Sequence, residues 1–127
     1  MGPARERATR VPSASLALAV VAHVVALAPD LMFASRIEAT LGAAGHEVTL
    51  SPSASEAPLD DAEILIADLE RIEPEAVVGL GIPVLGFYRH TDPDTRERAE
   101  AAGVDMVVPR SKMAREMPEL VAGLLAE

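Results

Sequence analysis

Four short, largely apolar runs in this sequence each lead into residues able to do chemistry. Val24 to Ala28 is followed by Pro29 and Asp30, and Ile64 to Ala67 by Asp68. Ile82 to Tyr88 is followed by Arg89 and His90, and Asp105 to Val108 by Pro109 and Arg110. Two carboxylates and a guanidinium gathered on one rim could hold a divalent cation or an anion. The same residues have plainer uses. Asp30 is a natural helix cap, Asp68 can cap a turn, and Arg110 can pair with either aspartate. His90, standing alone, is more often a solvated loop residue than a catalytic base.

Other chemistries find little support. The chain has no cysteine, which removes disulfides, thiolate catalysis and zinc-thiolate sites. Its imidazoles, His23, His46 and His90, are too far apart in sequence for the tight ligand spacings of most histidine metal sites. No serine sits in an elbow motif with a following Asp and His. Gly79-Leu80-Gly81 precedes a strand, whereas a dinucleotide fingerprint must follow one, so it reads as a helix stop and turn. Ala43 to Val48 is similar to a helix-to-strand turn of cobalamin-binding domains, but the D-x-H-x-x-G loop that supplies their histidine ligand is missing.

Composition narrows the partners. The 127 residues carry a net charge of −9 and are 50% hydrophobic but only 2% aromatic. A packed core of Ala, Val, Leu and Ile is expected, and a base-stacking surface is not. The first fifteen residues, with Arg5, Arg7 and Arg10 against Glu6, are net basic, so the remainder is more acidic still. Such a body repels phosphate backbones and anionic lipid, which argues against nucleic acid and membrane partners. Leu16 to Ala28, behind those arginines, superficially resembles a secretory signal, and it is too short to span a bilayer. Pro29 after the would-be cleavage point, His23 within the run, and the loss of a central strand on cleavage favour a cytoplasmic chain.

The elements needed to position the rim alternate between strand and helix. Residues 1–15 read as a disordered tail, dispensable for folding, ahead of a domain over 16–127. A strand over Val24 to Ala28 leads to a helix over 31–44 capped by Asp30 and stopped at Gly45, with Phe33, Ile37 and Leu41 on one face. His46 to Leu50 is a second strand. Residues 51–61, with Pro52 and Pro58, are too broken for a full helix, which would leave that flank open for a partner or a second copy. Ile64 to Ala67 is the third strand, Pro74 opens a short helix through Leu80, and Ile82 to Tyr88 is the fourth strand. Asp92-Pro93 starts a helix that Gly103 ends, and Asp105 to Val108 is the fifth strand. Ser111 caps a final helix with Met113, Met117, Leu120, Val121 and Leu124 on one face. Alternation with short loops predicts an α/β fold, a three-layer doubly wound sheet of five parallel strands. In such sheets ligands bind at the carboxyl ends of the strands, where strand order reverses.

The segments VVALAPDLMFASRI (24–37), EILIADL (63–69), IPVLGFY (82–88) and AAGVDMVVPR (101–110) together resemble a response-regulator receiver domain, the phospho-aspartate switch of two-component signalling. The resemblance covers about residues 22–127. It implies a flavodoxin-like strand order 2-1-3-4-5 with the second helix short or missing, and it makes Asp68 the equivalent of the phospho-acceptor. Receivers place two acidic residues after the first strand to hold magnesium, and here that pair is Pro29-Asp30. Tyr88, followed by Arg89, stands at the small hydroxyl that ends the fourth strand. Arg110 stands at the lysine after the fifth, with the proline before it instead of after it.

These departures imply a degenerate receiver, or pseudo-receiver. A magnesium site built on Asp30 and Asp68 would be weakened by the missing carboxylate, since hard cations gain affinity with ligand charge. Tyr88 is too bulky to act as the hydroxyl that moves inward on phosphorylation, and a planar guanidinium is not a free substitute for an ammonium. The resemblance therefore implies a non-enzymatic module, with no required cofactor, that signals by protein contact. A receiver still phosphorylated on Asp68, or a small-ligand or enzymatic domain on the same fold, are the alternatives. By resemblance the output or homodimer surface maps to residues 94–126, where Met106, Met113 and Met117 more often belong to the core but, if exposed, would offer an adaptable apolar contact. No effector domain is evident, so output is expected through a partner in trans.

Overall fold

Strands buried on both faces need runs of apolar residues, and the three central strands have them, with His23 and Asp68 as the polar exceptions at strand ends. The structure is a computed structural model that describes residues 21–89 and 91–126. Its strands are β1 (His23–Leu27), β2 (Glu47–Ser51), β3 (Ile64–Asp68), β4 (Val84–Tyr88) and β5 (Met106–Pro109). All pair in parallel, in the order β2-β1-β3-β4-β5. The helices are α1 (Leu31–Ala43), α2 (Pro93–Ala102) and α3 (Arg110–Leu125). The α/β three-layer expectation and its strand order are what the structure contains.

Successive strand residues point to opposite faces, and this alternation divides the core in two. Val24, Ala26, Ile64, Ile66, Leu85 and Phe87 face α1 and α3, meeting Phe33, Ile37, Leu41, Met113, Met117 and Val121. Val25, Leu27, Leu65, Ala67, Val84 and Tyr88 face the other way, towards Ala99 of α2 and the loop residues Leu69, Ile72 and Val77. On that second side the chain between β2 and β3 forms only the 3-10 turn Ala54–Glu56, in keeping with the prolines at 52 and 58.

Two local expectations are corrected, and one choice is decided. The helix expected from Pro74 to Leu80 is a single 3-10 turn, Pro74–Ala76, because Gly79 and Gly81 follow with positive φ and hold the backbone out of helical geometry. Ser111 does not cap the last helix. That helix starts at Arg110 behind Pro109, whose fixed φ of −63° already suits a helix entry. Met113 and Met117 are fully buried, and Met106 packs against the same core, so the methionines supply core volume and not an exposed contact. One break escaped the sequence reading: Pro118 lies within α3, and the backbone leaves helical geometry at Glu116. The tail expected over residues 1–15 lies outside the described residues.

Gly86 sets how β3 leaves the sheet. A Cβ there would sit 2.6 Å from Cδ1 and 3.0 Å from Cγ of Leu69, the residue directly after Asp68. Leu69 is buried and has little room to retreat. Gly86→Ala is expected to destabilise the fold by about 1–3 kcal/mol through overpacking. An unchanged denaturation midpoint would show that Leu69 swings aside freely.

The cap of α2 gives the fold an acid-sensitive contact. Asp92 accepts hydrogen bonds from the Thr95 hydroxyl and from the Thr95 backbone N–H at 3.2 Å. The Thr95 hydroxyl, then its N–H, holds the Asp92 carboxyl below its ordinary 3.8. A carboxyl depressed in the folded state stabilises fully above its unfolded value and loses that contribution as pH falls through the folded one. The melting-temperature gap between wild type and Asp92→Ala should therefore be widest near neutrality and narrow as pH drops below 3.8. A gap independent of pH would contradict this.

Candidate functional site at the carboxyl end of the sheet

Strand order reverses between β1 and β3, and the residues after these strands meet there. Asp68 ends β3 with its side chain 1% exposed. One of its oxygens accepts the Glu70 backbone N–H at 3.0 Å, and the other accepts Arg110 Nη2 at 3.1 Å. Asp30 caps α1, one oxygen accepting the N–H groups of Met32 and Phe33 at 3.0 and 3.2 Å. Its second oxygen accepts Arg110 Nη1 at 3.4 Å. The Phe33 N–H is the leading cause of an Asp30 carboxyl held below its usual range, with the Met32 N–H and Arg110 adding to it.

Arg110 is the keystone of this arrangement because of where the strands aim it. It follows β5, where Tyr88 is in register with Pro109, while Asp68 is in register with Phe87. The guanidinium carbon lies 4.6 Å from the Phe33 ring centre and 5.3 Å from that of Phe87. The two rings are 4.7 Å apart and form a platform beneath it. A planar cation thus stacks on two aromatics while its two terminal nitrogens divide between two carboxylates, a task that suits guanidinium geometry.

The structure brings together Asp30, Asp68 and Arg110, and it separates the others from them. Tyr88 turns into the opposite core, among the residues that face α2, so its ring lies behind the sheet relative to Arg110. Arg89 donates its backbone N–H to Glu70 at 3.3 Å, and its side chain lines a neighbouring cleft with Phe33, Arg36 and Arg110. Pro29 is half-buried and adds no charge to the site. His90 lies outside the described residues. Sequence reading missed Arg36 and the aromatic platform, although one signal for the latter was present: Phe33 and Phe87 are the chain's two phenylalanines, and both lie here.

Arg110 stands where a hard divalent cation would meet these carboxylates. Both oxygens of Asp30 and both of Asp68 already accept hydrogen bonds, from backbone N–H groups on one side and from Arg110 on the other. Magnesium takes one or two carboxylates and keeps several waters, so a cation at this pair would have to displace Arg110 from the oxygens it holds.

No family model matches the chain, and no curated protein does either. Solved structures do. NtrX from Brucella abortus, in complex with ADP, superposes with a TM-score of 0.73 at 13% identity, over 84% of this chain and 27% of that one. A response-regulator receiver domain protein from Clostridium thermocellum gives 0.72 at 14% identity, over 84% and 95% of the two chains. A response-regulator receiver protein from Burkholderia phymatum gives 0.70 at 20%, over 83% and 95%. The chain has the receiver-domain fold. Within that receiver fold Asp68 ends β3, and the cation beside it is Arg110. No helix among the described residues is long and apolar enough to cross a membrane.

Proposed function

We propose that this chain is a degenerate receiver module of two-component signalling, a binding module and not an enzyme, in which Arg110 does the work that a bound cation and a phosphoryl group would do elsewhere. The observation that carries this reading is the bridge from Asp30 through Arg110 to Asp68. A phosphoryl group entering at Asp68 needs a metal to offset the charge on phosphate and carboxylate. Here the positive charge is built into the chain and fixed by stacking on Phe33 and Phe87. Pro29 withholds the further carboxylate that would recruit a metal in its place. The site therefore rests in one state, and signalling passes through contacts with a protein partner or a second copy.

The surface over residues 94–126 remains the proposed output face, with altered chemistry. Because Met113 and Met117 are buried, contacts there fall to the charged outer face of α2, including Glu97, Arg96 and Glu100. Incubation with a small-molecule phosphodonor and magnesium tests the reading directly: the intact mass of the chain should not change, and a phosphorylated species would count against it.

A further inference from the structure

Beside the bridged aspartates lies a second, differently charged feature. A cleft of about 370 Å³ opens between α1 and the start of α3, lined by Phe33, Arg36, Arg89, Arg110, Ser111 and Ala114. Three of the chain's eleven Lys and Arg residues thus converge on one opening of a body whose net charge is −9. Arg110 spends one donor on each aspartate and keeps others to spare. Arg36 and Arg89 are exposed, and neither forms an ion pair with a carboxylate among the described residues. Asp92 feels the charge of Arg89 without forming an ion pair with it among the described residues, and Glu70 accepts the Arg89 backbone N–H.

We propose that this cleft is a binding site for a phosphomonoester carrying a small apolar or aromatic group, held by Arg36 and Arg89 with Arg110 and Ser111 in support. Guanidinium forks match phosphate oxygens two at a time, and two uncommitted forks beside a hydroxyl suit a dianion better than a single carboxylate. The apolar part of the cleft, made by Phe33 and Ala114, has no polar group to offer and would receive the ester's carbon skeleton. Binding is non-covalent and leaves Asp68 untouched. The inference goes beyond the function proposed above and stands whether or not Asp68 accepts a phosphoryl group.

The test uses the full chain, isotopically labelled, with phenyl phosphate and inorganic phosphate as probes at physiological salt. Phenyl phosphate should shift the Arg36 and Arg89 Nε–H resonances and the Ser111 amide saturably. The double variant R36Q/R89Q, at two exposed positions, should keep the wild-type spectrum elsewhere and bind phenyl phosphate about tenfold or more weakly. Asp68→Asn keeps Arg36 and Arg89 and should still bind phenyl phosphate saturably at these groups, which separates this site from phosphoryl chemistry at Asp68. The proposal is overturned if no saturable shift occurs at these groups by millimolar probe, or if R36Q/R89Q binds unchanged. Equal affinity for inorganic phosphate would overturn the apolar subsite.

Discussion

Arg110→Ala is expected to lower stability by about 2–3 kcal/mol, which for a domain of this size is a melting-temperature loss of roughly 10 °C. Removing one partner of a fully buried ion pair costs more, but this guanidinium is 35% exposed, so solvent screens part of the interaction. The cost arises mainly on the other side of the pair. Asp68, 1% exposed, would keep its Glu70 N–H but lose its cation, leaving a nearly dry carboxylate without a counter-charge. This makes the effect asymmetric. Adding Asp68→Asn to Arg110→Ala should restore about 1–2 kcal/mol, because the asparagine oxygen still accepts the Glu70 N–H without needing a cation. Chemical denaturation of the two single variants and the double variant measures this. A double variant less stable than Arg110→Ala would show that Asp68 is not what Arg110 supports.

Phe87→Ala should have a larger effect still, about 3–5 kcal/mol. Phe87 is wholly buried and is the largest such side chain, so its removal leaves a cavity between the sheet, α1 and α3. It also removes half the platform under Arg110. Phe87→Leu separates these two roles, since it keeps most of the volume and removes only the aromatic face. It should cost about 1 kcal/mol and should weaken the Arg110–Asp68 coupling measured in a double-mutant cycle. A loss below about 1.5 kcal/mol for Phe87→Ala would mean that the core closes over the gap.

The parts of this molecule legible in its sequence were those set by short-range pattern. Ile64 to Ala67 and Val24 to Ala28 are apolar at every position, as a strand covered on both faces requires, and they lead into Asp68 and into Pro29-Asp30. Alternation with short loops then places Asp30, Asp68 and Arg110 on one rim. What could not be read was side-chain parity across neighbouring strands. Tyr88 and Phe87 are adjacent, yet one packs behind the sheet and the other beneath Arg110, and a one-residue shift in register would exchange them. Ser111 was the better cap by residue type, but Pro109 had already set the helix entry two residues earlier. The methionine stripe has the spacing of a buried helix face, and burial is what the packing of α3 against the sheet makes of it. Arg36 carried no local signal at all: one exposed arginine on α1 gains meaning only when Arg89 and Arg110 arrive from distant parts of the chain.

The proposed closure of the Asp68 site by Arg110 is tested most directly by intact-mass spectrometry after incubation with acetyl phosphate and magnesium. Wild type and Asp68→Asn should give the same spectrum, with no substantial species heavier by one phosphoryl group. A stoichiometric phosphorylated species in wild type that disappears in Asp68→Asn would contradict the account.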